Sequence, residues 1–159
     1  MDRHLQALAA AAAGGPNEFG VELTGRADVN RLALFGHSRG GEAALVSANS
    51  PEMLTASRGY GPVAGVLLIA AATVTADPWS GSAVPLATIL AACDGDVTTQ
   101  DGQFFYEGAR LALEQSQWAT SVWLERANHN HFNTMLPRDP FGTPGRTDCD
   151  PLLDADAQR

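Results

Sequence analysis

Arg31-Leu32-Ala33-Leu34-Phe35-Gly36-His37-Ser38-Arg39-Gly40-Gly41 is the stretch that decides the reading of this chain. Arg31–Phe35 is a short apolar run, the kind expected of a strand covered on both faces of a parallel sheet. Gly36–Gly41 is a glycine-rich turn, and Glu42–Asn49 is helical until Pro51 stops it. Within the turn, Gly36-His37-Ser38-Arg39-Gly40 fits G-x-S-x-G. A pattern this short arises by chance, so its weight comes from its place between a buried strand and a helix start. Such a turn is expected to leave no room for a Cβ two positions before or after the serine, and both positions are glycine. The hydroxyl is thereby pushed clear of the backbone. The helix behind it aims its first amides and the positive end of its dipole at the same spot.

Outward from this stretch, Asp2–Ala13 reads as a helix rich in Ala and Leu, halted by Gly14-Gly15-Pro16. Asn17–Asn30 is a polar connection. Val63–Ala72 and Pro85–Cys93 read as further buried strands, Gln103–Gln115 as an amphipathic helix and Thr120–Ala127 as a fourth strand. Strands alternating with helices or long crossovers predict an α/β protein, a mostly parallel sheet flanked by helices. Residues 1–136 read as one domain. Residues 137–159, rich in Pro, Gly and Asp, read as a loop and a frayed tail.

A serine hydroxyl is a poor nucleophile at neutral pH and needs a base, which in turn needs an orienting carboxylate. Around such a turn the partners follow in the order Ser, acid, His, each in a loop after a later strand. After the third strand comes Cys93-Asp94-Gly95-Asp96-Val97. Asp94-Gly95 reads as the turn, so Asp96 is the expected acid and Asp94 the reserve; two turn-forming acids without catalytic use would look the same. After the fourth strand comes Asn128-His129-Asn130-His131. His129, the first histidine past the strand end, is the expected base. His131 reads as a neighbouring or surface group. His-x-His without a third ligand of fitting spacing is a weak zinc signal, so no metal and no cofactor is expected. His4 lies on the first helix. His37, inside the turn, is expected to contact substrate and not to act as base.

The 159 residues are 45% hydrophobic, enough for one globular domain but short for a complete α/β enzyme. A formal charge of −8 argues against nucleic acid or an anionic membrane surface as partner. The longest apolar run, around Val66–Ala72, is too short to span a bilayer. Met1-Asp2-Arg3-His4 lacks the layout of a secretory signal, which leaves either a cytosolic protein or a missing leader. Cys93 and Cys149 are compatible with a disulfide or with two free thiols.

Val29–Gly41 resembles the turn of α/β-hydrolase esterases, including the cutinase and polyester-hydrolase branch. Cys93–Val97 and Ala127–Asn133 resemble the acid and histidine loops of secreted actinobacterial relatives. The resemblance covers about Arg26 to Cys149. It implies a triad of Ser38, Asp96 and His129, an oxyanion-hole amide from Arg39, and an aromatic wall of the acyl site from Trp79. It also implies a Cys93–Cys149 disulfide and an extracellular setting. The substrate would be a small or polymeric ester. One departure stands out: such esterases have about eight strands, four of them before the nucleophile strand, and here only one helix precedes it. The expected object is therefore a partial α/β-hydrolase fold lacking its N-terminal strands and one oxyanion donor, a loss worth on the order of 10²–10³ in rate. Its first strand would be a bare edge, inviting self-association or pairing with a missing half.

Overall fold

The computed structural model describes residues 2–50, 59–112, 118–135 and 149–159. Helix α1 (Asp2–Ala12) is followed by β1 (Leu32–His37), α2 (Arg39–Ala48), β2 (Val63–Ile69), β3 (Leu86–Ala91), α3 (Gly102–Ala112) and β4 (Ala119–Leu124). A 3-10 turn (Asn130–Phe132) and a short helix α4 (Ala155–Gln158) close the order. The elements match the expected alternation with shifted bounds. Strand β1 runs on through His37, and α2 starts at Arg39 instead of Glu42, so a single residue separates strand from helix. Residues 113–115, expected to end α3, lie outside the described residues, as do Pro51 and residues 137–148.

The four strands form one all-parallel sheet in the order β1-β2-β3-β4. Alternation along each strand sorts the side chains into two faces. Leu34, Val66, Leu68 and Leu86 are buried, and they pack in one cluster with Ala44 and Leu45 of α2, Phe105 and Ala109 of α3, and Ala9 of α1. Gly102 lets α3 begin close against the sheet, since a Cβ there would lie 2.7 Å from Thr88 Oγ1. The opposite face differs. Phe35 is 73% exposed, and Ala33, Leu67, Ala87 and Trp118 line an apolar groove of about 420 Å³. Among the described residues no helix covers this face, and β1 has no partner on its outer edge. No described helix is long and apolar enough to cross a membrane.

The C-terminal end, expected to fray, is docked. Cys149 is disulfide-bonded to Cys93 at a Cα–Cα distance of 5.7 Å. Leu153 N–H bonds to the Arg126 carbonyl at 2.8 Å. Buried Gln158 pairs with the backbone of Asn128 in both directions, accepting from its N–H at 3.0 Å and donating to its carbonyl at 2.7 Å. The tail thus braces the loop that carries His129, and the disulfide braces the residue before Asp94. A bond that closes a span of 56 residues is worth about 4 kcal/mol through the unfolded chain's entropy. Replacing both cysteines by serine is expected to lower stability by about that amount in denaturant titration; an unchanged midpoint would show that the bond does not hold this end.

Candidate active site

The C-terminal ends of β1, β3 and β4 open on one cavity of about 550 Å³, whose lining includes His37, Ser38, Arg39, Asp96 and His129. Ser38 stands between β1 and α2 with φ 57° and ψ −128°, a backbone conformation rare for any residue with a side chain. It is fixed from three sides. Its N–H bonds to the Ile69 carbonyl at 2.9 Å, and its carbonyl accepts from Gly41 at 2.9 Å and Ala72 at 3.2 Å. A Cβ on Gly36 would lie 2.0 Å from the Gly40 carbonyl oxygen, so only glycine allows strand and helix to meet here. The second tight position is Gly41, where a Cβ would meet Ala71 Cβ at 2.7 Å, and not Gly40, which faces open space. The expectation that both flanking motif glycines are sterically required thus holds for one of them.

His129 is 2% exposed and its Nδ1 lies 2.8 Å from Asp94 Oδ2, a carboxylate whose side chain is only 1% exposed. The orienting position expected for Asp96 is occupied by Asp94. The physical reason is that Asp94 divides its two oxygens. Oδ1 accepts the N–H groups of Asp96 at 2.9 Å and Val97 at 2.6 Å and so builds the turn, while Oδ2 turns inward to the imidazole. Asp96 instead places Oδ2 at 3.4 Å from Nε2, on the other edge of the ring, with its side chain 52% exposed. Among the described residues no hydrogen bond reaches Ser38 Oγ.

His37 does not simply line the cavity. Its Nε2–H donates to the His129 carbonyl at 2.8 Å, and the two rings lie 4.5 Å apart. Burial, followed by the neighbouring His129, pushes its pKa below the usual 6.5, which keeps the ring neutral near neutral pH. The ring therefore positions the backbone of His129. His131 turns away, its Nδ1 at 3.1 Å from the Leu153 carbonyl. Trp79 does not line the cavity; it packs on Phe104 of α3 at 5.8 Å between ring centroids, with Gly108 making room for the loop.

Two carboxylates that the sequence reading passed over shape the cavity wall after β2. Glu42, buried in the first turn of α2, accepts the N–H groups of Val74, Thr75 and Ala76 at 2.9, 2.6 and 2.6 Å. Burial would raise its pKa, but these three donors outweigh burial and hold it below the usual 4.5. Asp101 accepts Thr73 N–H at 2.8 Å. With Ala72 bonded to the Ser38 carbonyl, every backbone donor from Ala72 to Ala76 is spent. Among the described residues, the donors left on this side of the cavity include the Arg39 and Gly40 amides that open α2, because the first N–H groups of a helix lack an intrahelical acceptor, and the buried, unpartnered Thr73 hydroxyl.

No family model matches this chain, and no match is found among curated proteins or solved structures. The glycine geometry gives a direct check. Gly36→Ala is expected to cost about 3 kcal/mol in thermal or denaturant unfolding, because backbone must move to admit the methyl group. Gly40→Ala is expected to be neutral or stabilising within about 1 kcal/mol. Equal effects at the two positions would contradict the turn as described.

Proposed function

We propose that this chain is a serine hydrolase of the α/β-hydrolase type that cleaves carboxylic esters through Ser38, His129 and Asp94. The observation that carries the reading is the conjunction of a strained serine at a strand-to-helix turn with an imidazole facing the same cavity and anchored by a buried carboxylate. In this reading Ser38 Oγ attacks the acyl carbon while His129 Nε2 takes its proton and returns it to the leaving alcohol. Asp94 fixes the tautomer by accepting the Nδ1 proton. The Arg39 amide and the α2 dipole stabilise the oxyanion, and water then attacks the acyl-enzyme to release the acid. Catalytic hydrogen bonds are often open before substrate arrives, so the unengaged Ser38 hydroxyl fits a resting state. In this scheme Asp94, and not the Asp96 expected from the sequence, fixes the tautomer, and Trp79 is not needed as an acyl wall.

A second reading is a non-catalytic half-domain that associates through its sheet. It is favoured by the open outer edge of β1 and the exposed Phe35 on that strand. A thioesterase or peptidase on the same triad is a variant of the first reading, separated by relative rates on ester, thioester and amide.

Hydrolysis of p-nitrophenyl acetate decides between hydrolase and half-domain. Ser38→Ala is expected to lower kcat/KM by roughly 10³-fold or more, and Asp94→Asn by about 10⁴-fold through loss of the correct tautomer. A rate unchanged in Ser38→Ala would leave the half-domain reading standing.

A further inference from the structure

Asp96 is set apart from the rest of the site by where its carboxylate lies. The His129 ring is bracketed by two carboxylates, Asp94 Oδ2 at 2.8 Å from Nδ1 and Asp96 Oδ2 at 3.4 Å from Nε2. A neutral imidazole carries one N–H, so whichever nitrogen is bare turns a lone pair toward a carboxylate oxygen, which also offers only lone pairs. A ring protonated on both nitrogens donates to Asp94 and carries its positive charge within ion-pair distance of Asp96. The bracket therefore suits the imidazolium and strains against the neutral base.

Among the described residues, the other charged and titratable groups around the ring are these. Asp94 is committed to Nδ1 and to its own turn. His37, stacked on the ring, donates to the His129 carbonyl and is kept neutral by burial. Asp101, across the cavity, is held by Thr73 N–H and the Thr99 hydroxyl. Arg39 lines the same cavity, where its positive charge opposes a proton on the ring. On α4, which packs against the 3-10 turn, Asp154 caps its own helix and Asp156 pairs with Arg159. His131 is turned to Leu153.

We propose that Asp96 is a positioning residue that holds His129 doubly protonated and must release Nε2 before the ring can take the proton of Ser38. The latch itself stands on the geometry of the ring; its effect on rate rests on the hydrolase reading. While the latch is closed, Nε2 bears a proton and the charged ring pairs with the Asp96 carboxylate. As pH rises that proton leaves to solvent, the carboxylate and the bare nitrogen repel, and the half-exposed Asp96 side chain swings toward water. Nε2 then faces the cavity as an acceptor. Asp96 thus sets the pH at which the base becomes available, and does so from the one edge of the ring that Asp94 does not control.

The test compares wild type with Asp96→Asn, a variant of the same shape without the charge, after circular dichroism has shown equal folding. In protein labelled with ¹⁵N-histidine, the pH midpoint of the His129 ring resonances is expected to fall by about one unit in the variant. That is the low end of the effect of a neighbouring opposite charge, reduced by exposure. The acid-side midpoint of kcat/KM on p-nitrophenyl acetate is expected to fall by the same amount. An unchanged ring titration overturns the proposal. A ring titration that shifts while the rate profile stays fixed overturns the part that links the latch to catalysis. A shift of the ring in a protein without esterase activity upholds the latch and removes the hydrolase reading.

Discussion

The contact between Gly36 and the backbone of Gly40 and Gly41 is the constraint from which the rest of the site follows. Because no side chain separates them, β1 passes into α2 across one residue, and that residue is forced to a positive φ. The strain of order 1–3 kcal/mol that such a conformation stores is held by three backbone hydrogen bonds to Ser38, two of them from the strand end of β2 and the loop behind it. Sheet, helix and loop thus share one junction. Moving any of them moves the serine.

The same economy governs the carboxylates. Glu42 and Asp101 bind the loop after β2 so completely that the amides of residues 73–76 are closed to a ligand, and the Thr73 hydroxyl is left, among the described residues, as an unpartnered polar group of that wall. Asp94 uses one oxygen to shape its own loop and the other to fix an imidazole. Burying that pair is costly unless every lone pair is met, and here the turn N–H groups meet those of Oδ1. The groups that face the cavity include Ser38, the His129 ring, Asp96, Thr73 and the start of α2.

Much of this was legible in the chain, for reasons of differing strength. The alternation of apolar runs with amphipathic stretches gave the α/β class and the four strands, because burial on a parallel sheet leaves a plain mark in composition. Ser38 and His129 were picked for their positions at strand ends, and both line the cavity. The choice between Asp94 and Asp96 failed for a definite reason: Asp before Gly was read as a turn former, and a turn former was assumed to be spent. Two oxygens on one carboxylate allow both roles, which residue type alone does not reveal. Glu42 was invisible because a glutamate in the first turn of a helix looks like an ordinary dipole partner, and its three acceptor contacts lie 32–34 positions away. The tail was misjudged because Gln158 gives no sign in sequence of pairing with Asn128 across the fold. Trp79 shows the opposite error, an aromatic assigned to a cavity when a glycine in α3 had made a seat for its loop.

The central claim is that the strained serine is a working nucleophile beside an anchored base. Covalent labelling with a fluorophosphonate probe, followed by peptide mass mapping, tests it most directly. The account requires stoichiometric modification of the folded protein at Ser38, abolished when His129 is replaced by alanine. A folded protein that takes up no probe, or takes it up at another residue, would contradict it.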